Sequence, residues 1–236
     1  MNDSIHLSKQ FDEDLSRVRN LVLKMGGLVE VQVLAALECY KNMDTALVKE
    51  IVETDARVNG MEKEVDDECV HLIAKRQPAA SDLRLVMGVI KMVTDLERAG
   101  DEAKKIAKGV RRIAERGHQV ALPKTAEVRH VAEEAIALLR RSLDCFARLD
   151  VEEAHEVIRR DEKVDVEFKA VVRQLITYMM EDPRTISTSM DIISIARAIE
   201  RIGDHAKNVA EQVIYIAEGR DIRHAGKAIA PEGSAE

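Results

Sequence analysis

Tryptophan is absent from the 236 residues, and aromatic side chains make up only 3% of them. Proline is nearly missing too, with four in the whole chain. That poverty leaves little for a β-sheet, whose strands draw on aromatic and β-branched residues. Cysteine is scarce: Cys39, Cys69 and Cys145 are odd in number, scattered, and contain no CxxC pair. Neither a zinc knuckle nor a disulfide framework is suggested on that count. No excess of positive charge exists, since 36 Lys and Arg face 43 Asp and Glu for a net charge of −7. A nucleic-acid binder, whose affinity comes from neutralising phosphates, is not indicated. The basic run at residues 104–112, "KKIAKGVRR", reads as a solvated helix face. No apolar stretch approaches the roughly 18 residues that a bilayer span needs. The opening "MNDSIHLSKQFDEDL" lacks the basic start and apolar core of a signal peptide. There is no Gly-rich phosphate loop and no nucleophile–base set. These absences together lead us to expect a soluble, cytoplasmic protein.

What the chain does have is Ala, Leu, Val, Glu, Lys and Arg, with 46% hydrophobic and 33% charged residues, a mixture suited to long helices. Phe11, Leu15, Val18, Val22, Met25, Val29, Val33, Leu37 and Tyr40 keep a 3-and-4 spacing, which predicts a helix over 11–43. A second helix is expected over 44–76 and ends at "RQPAASD", where Pro78 breaks it and Ser81 or Asp82 can cap the next. The third runs to about 116, where "RGHQVALPK" interrupts the pattern. Three more are expected near 125–149, 151–181 and 185–218, with "EDPRTIS" as the second hairpin. The small, polar tail 223–236 is expected to be disordered.

The second trio copies the first. At an offset of 106, Leu37, Cys39, Asp44, Glu50, Asp55 and Val58 fall on Leu143, Cys145, Asp150, Glu156, Asp161 and Val164. Beyond the hairpin the offset is 103, and Glu97, Arg98, Gly100, Asp101, Ala103, Lys104 and Ala107 match Glu200, Arg201, Gly203, Asp204, Ala206, Lys207 and Ala210. The fold expected is all-α: six long helices forming a tandem repeat of two three-helix bundles, residues 1–118 and 119–222.

Both copies make the same sacrifices. Gly100 and Gly203 lie inside helices, where glycine costs about 1 kcal/mol relative to alanine. Glu97 with Asp101, and Glu200 with Asp204, put like charges at i, i+4. In the second helix the core line Val48, Ile51, Asp55, Val58, Glu62, Val65, Cys69, Leu72 carries an aspartate where an aliphatic belongs. The fifth does the same with Ala154, Val157, Asp161, Val164, Phe168, Val171, Leu175, Tyr178. Asn59 and Asp165 lie one turn along on the same faces.

Folding each hairpin back on itself aligns these groups. Asp55 and Asp101 are each 23 residues from Pro78, and Asn59 and Glu97 are each 19. Asp161 and Asp165 precede Pro183 by 22 and 18, while Asp204 and Glu200 follow it by 21 and 17. Since antiparallel helices rise equally, each repeat brings its acid pairs to one height. Carboxylates so crowded and partly desolvated need a counter-charge, and a hard cation with oxygen ligands supplies one. The candidate metal ligands are therefore Asp55, Asn59, Glu97, Asp101, Asp161, Asp165, Glu200 and Asp204, with Gly100 and Gly203 making room. Lys104, Lys105 and Lys207 offer a competing, metal-free pairing with Asp101 and Asp204. Glu62 and Asp66 either extend the first site or leave Asp66 to pair with Lys91.

Other features carry less. The three E-x-x-H pairs, Glu68–His71, Glu127–His130 and Glu152–His155, suggest a carboxylate-bridged di-iron enzyme, but they do not map onto one another in the repeat. His205 follows Asp204 and is expected to point away from the carboxylates. Cys39 and Cys145 read as core filler.

"RQPAASDLR", "DLERAGDEAKKIA" and "AIERIGDHAKNVAE" together resemble the PhoU family of phosphate-transport accessory regulators. The resemblance spans roughly residues 12–218 and includes the duplicated three-helix plan. It implies metal ions (Fe, Mn, Mg or Zn) held by E/D-x-x-x-D motifs, here Glu97 with Asp101, Glu200 with Asp204, and Asp161 with Asp165. Asp55 with Asn59 departs from that pattern. The resemblance also implies a non-enzymatic, cytoplasmic negative regulator. Such a regulator links the phosphate ABC transporter, through its ATPase subunit, to the sensor histidine kinase of the phosphate-starvation response, and limits uptake. It further implies a homodimer and peripheral membrane association. The alternatives from the residues alone are the di-metal enzyme and a purely structural helical scaffold with empty acidic seams.

Overall fold

The computed structural model describes residues 3–117 and 126–223, with side chains placed from residues 9 and 127 onward in the two segments. The expected tail disorder, and most of the break after the third helix, lie outside the described residues. Six helices follow in order: α1 Asp3–Asn42, α2 Leu47–Arg76, α3 Ala80–Glu115, α4 Ala126–Arg148, α5 Val151–Glu181 and α6 Ile186–Glu218. A single 3₁₀ turn, Pro183–Thr185, precedes α6. Among the described residues there is no strand.

Local signals set the ends. Asp150 caps α5 by accepting the Glu153 amide at 3.0 Å. Its repeat counterpart Asp44 accepts the Ala46 amide at 2.9 Å ahead of α2. Gly219, at φ 74°, closes α6 with its N–H on the Tyr215 carbonyl. The cap expected at Ser81 or Asp82 does not form. Ala79 occupies that position without a side-chain bond, and Asp82 lies in the first turn, where its charge suits the positive end of the helix.

The chain forms two layers. In front, α2, α3, α6 and α5 lie side by side in that order. Behind them, α1 packs on α2, α3 and α4, and α4 packs on α1, α5 and α6. The repeats meet antiparallel along α3 and α6: the glycines at 88 and 109 admit Ile216 and Ile195, and Arg112 reaches Asp191. One continuous hydrophobic core serves both repeats, from Val18 on α1 to Ile216 on α6. The alternating lines on α1, α2 and α5 are its inner faces, as their spacing predicts, although Phe11, Leu15, Leu37, Glu62 and Tyr178 are only half-buried.

One expectation is corrected. α1, over Lys9–Asn42, is long and apolar enough by length and composition to cross a membrane. Lys24 and Glu30 interrupt the apolar run without making the helix polar on average. Its apolar face, Val18, Val22, Met25, Val29 and Val33, is buried in the bundle, so here the helix serves the core.

Candidate metal-binding seams

The second seam lies between α5 and α6. Asp161 stands on the core line of α5 and is only 1% exposed. Its Oδ2 accepts from Lys207 Nζ at 2.9 Å, while its Oδ1 is buried without a partner. Across from it, a Cβ at position 203 would come within 3.2 Å of that bare oxygen. Burial pushes the Asp161 carboxyl above the usual range; Lys207 opposes the shift, and Asp204 and Asp165 add to it. Glu200 is raised likewise by burial and then by Asp204, with Arg197, 3.5 Å away, pulling it back. Burial also raises Asp204, against Lys207 and together with Asp165. The four acids placed at one level by the sequence therefore do act on one another.

The first seam, between α2 and α3, uses the same positions differently. Asp55 is 5% exposed, and its Oδ2 accepts from Lys104 Nζ at 2.6 Å. The same ammonium reaches Asp101 Oδ1 at 2.5 Å. Burial works against the charged amine, yet the bonds to Asp101 and Asp55 hold it above its ordinary pKa. Glu97 is raised by burial, then by Asp101 and Asp55, with Lys104 opposing. Glu62 is raised by burial and then by Glu97, so it does border this seam. Asn59 leaves its buried Oδ1 without a partner.

Asp55 thus lies beside Asp101, and Asp161 beside Asp204, but the spacing does not fix what lies between them. Among the described residues no three or more His, Cys, Asp or Glu converge closely enough to hold a metal ion as their side chains stand. A lysine stands in each seam, Lys104 and Lys207, each paired with the buried aspartate there. The basic run was expected to be a solvated face. Lys105, Lys108, Arg111 and Arg112 are exposed as that reading has it, with Lys105 also pairing with the buried Glu102 at 2.8 Å and Arg112 bridging to α6, whereas Lys104 is a seam residue. The room left by Gly100 is also not for a metal. Gln32 of α1 fills it, with Oε1 2.8 Å from where a Cβ would be. Asp66 does not pair with Lys91, whose ammonium lies 5.1 Å over the Tyr215 ring instead.

The remaining candidates stand apart from the seams. His205 turns away as expected and meets Asp95 of α3 at 3.0 Å, beside Asn208 at 2.9 Å from the same carboxylate oxygen. His71 faces the Asp67 carbonyl, and His130 faces Glu167. The three thiols are buried in the core, which raises Cys39 to about 11 and Cys69 and Cys145 to about 12, so they are poor nucleophiles. Gln32 is the residue that sequence reasoning missed. Its signal was present: a glutamine between Val29, Val33 and Ala36 on the inner line of α1.

The donor chemistry of the second seam fits a hard divalent ion: four carboxylates, one buried oxygen lacking a partner, and a single lysine that bonds only one of them. The first seam fits poorly, because Lys104 already holds two of its three acids.

This arrangement, a duplicated helical unit with its acid pairs on the last two helices of each copy, coincides with the reach of one sequence family. The PhoU domain model matches twice, over residues 22–110 and 128–213. The chain belongs to the PhoU family. It is 47% identical over 222 residues to the phosphate-specific transport system accessory protein PhoU homolog of Pseudomonas aeruginosa, covering 94% of this chain and 90% of that protein. It is 44% identical over 226 residues to the phosphate-specific transport system accessory protein PhoU of Escherichia coli, covering 96% and 92%. The crystal structure of PhoU from Pseudomonas aeruginosa superposes with a TM-score of 0.85 at 46% identity, over 89% of this chain and 100% of that one. The phosphate transport system regulatory protein PhoU from Streptococcus pneumoniae superposes at 0.82 and 26% identity, over 89% and 98%. The PhoU fold is therefore common to chains of quite different sequence. These PhoU relatives are named accessory or regulatory proteins, and none of those names describes an enzyme.

Proposed function

We propose that the protein is a cytoplasmic, metal-binding regulatory adaptor of phosphate uptake with no catalytic turnover. In this reading it links the phosphate ABC transporter, at its ATPase subunit, to the phosphate-sensing histidine kinase. It represses the phosphate-starvation response and limits uptake when phosphate is plentiful. It acts as a homodimer at the membrane surface. The observation that carries the reading is the double PhoU match over both repeats, with relatives named as phosphate-transport accessory proteins. What supports the metal-binding part is the second seam, where Asp161 Oδ1 is buried without a partner among mutually repelling acids.

Asp161, Asp165, Glu200 and Asp204 would hold the ion (Fe, Mn, Mg or Zn). When bound, it supplies positive charge that quenches their repulsion and ties α5 to α6. The chain's own part is to keep those oxygens at one height on two rigid helices. The di-metal enzyme is disfavoured, because His71, His130 and His205 are all engaged away from the seams.

Deleting the gene is expected to switch on phosphate-starvation genes in phosphate-rich medium; an unchanged response would remove the adaptor reading. Elemental analysis of the purified protein is expected to find metal that is lost in the Asp161→Ala, Glu200→Ala double variant. Equal content in both would remove the metal.

A further inference from the structure

The two seams are copies, yet they are closed differently, and the difference starts on the helix behind them. Gln32 of α1, 1% exposed, donates from Nε2 to the Ile51 carbonyl at 3.2 Å and to the Gly100 carbonyl at 3.1 Å, and lies 3.4 Å from Asp55 Oδ1. One amide thus pins α1 to both walls of the first seam. The equivalent position on α4, 106 residues later, is Leu138, equally buried but with no donor to give. Asp55 Oδ1 therefore has a neighbouring N–H, and its counterpart Asp161 Oδ1 has none.

The lysines diverge in the same direction. Lys104 is shared between Asp55 and Asp101, at 2.6 and 2.5 Å. Lys207 bonds Asp161 alone, at 2.9 Å, and leaves Asp204 without a direct ion pair to it. The fourth position repeats the trend, a neutral amide at Asn59 against a carboxylate at Asp165. Each difference lowers the negative charge of the first seam or gives its carboxylates a donor from within the protein, while the neutral amide oxygens of Gln32 and Asn59 stay without a partner. For a cation to enter there, Lys104 would have to leave two carboxylates at once, one of them buried, and breaking such a pair is strongly unfavourable. In the second seam Lys207 would have to leave only one, the buried Asp161.

We propose that the repeats have divided their roles: the first seam is a metal-free strut with Lys104 as its built-in cation and Gln32 as the residue that closes it, and divalent metal enters the second seam alone. The proposal rests on the metal reading for α5 and α6, and localised binding separates its failure from the failure of that reading.

The test is a Mn²⁺ titration of the full-length protein and its single-seam variants, with free Mn²⁺ read by electron paramagnetic resonance. Glu200→Gln should weaken binding at least tenfold, while Glu97→Gln should leave it unchanged. Equal weakening by both variants would overturn the division of roles and leave metal binding standing. No Mn²⁺ bound by the unaltered protein would remove the metal reading and the division with it. The role of Gln32 has its own readout: Gln32→Leu combined with Asn59→Asp, folded by circular dichroism, should bind a further equivalent of Mn²⁺ that Asn59→Asp alone does not. A folded double variant with no gain would strip Gln32 of the closing role.

Discussion

Gly100 and Gly203 share a place in the repeat and the same helix-weakening cost, but they accommodate different things. A Cβ at 100 would stand 2.8 Å from Gln32 Oε1, in a fully buried spot where the amide cannot swing aside without giving up its bonds to Ile51 and Gly100. Gly100→Ala should therefore destabilise the metal-free protein by about 1–3 kcal/mol, the loss of buried hydrogen bonds exceeding a helix gain of about 1 kcal/mol. At 203 the nearest atom is a carboxylate oxygen at 3.2 Å, which needs to shift only a few tenths of an ångström. Gly203→Ala should be close to neutral under the same conditions. Urea denaturation of both variants, with metal removed, measures the contrast; equal losses would mean that Gln32 carries no special weight. The sequence made both glycines conspicuous and placed both on the inner face. It could not show that one faces an amide from a third helix, because that neighbour is fixed by tertiary packing and not by spacing along α3.

At the level of the helix pair, the hairpin counts were enough to put Asp55 beside Asp101 and Asp161 beside Asp204, because antiparallel rods rise alike. They were not enough to place the lysines, whose long flexible stems reach a seam or solvent from the same backbone position. The resulting electrostatics give the seams a definite pH response. Glu97, Asp161, Glu200 and Asp204 all have carboxyls raised in the folded state, with burial the largest cause in each. The native state therefore binds more protons than the unfolded chain just above the ordinary carboxylate range. The stability these groups contribute is fully present below their unfolded pKa and is lost as pH rises through the folded one. Metal-free protein should accordingly show a higher urea midpoint at about pH 5.5 than at about pH 7.5. Asp204→Asn should flatten that slope. A midpoint that rises with pH over this interval would mean that the acids are already neutralised by Lys104 and Lys207. The exposed carboxyls Glu156 and Asp182, which arginines hold below the usual range, act in the opposite sense and only in stronger acid.

Over the whole molecule, duplication in the sequence suggested two bundles side by side, and the structure joins them more closely than that. Along α3, the line Gly88, Asp95, Glu102, Gly109 recurs every seventh residue, and each member meets α6: Ile216, His205, Arg201 and Ile195 in turn. Such a heptad seam is the geometry of long helices packed at a shallow angle. It was hard to see in advance, since two of its members are glycines and two are acids, so the apolar pattern that marks other core lines is missing. At its end Asp191 of α6, 7% exposed, is held by Arg112 of α3 at 2.9 Å and also by Arg116, the residue just past the end of α3. Asp191→Ala removes a nearly buried acceptor from two half-exposed arginines, at a cost of about 1–3 kcal/mol. Because one core runs through both repeats, that loss should not stay in the second. Native-state hydrogen exchange should report loss of protection of similar size at slow amides of α2 and of α5, although the ion pairs of Asp191 reach neither helix. Protection lost only in α4–α6 would show two units that open independently, with the α3–α6 line a docking contact between them and not part of a shared core.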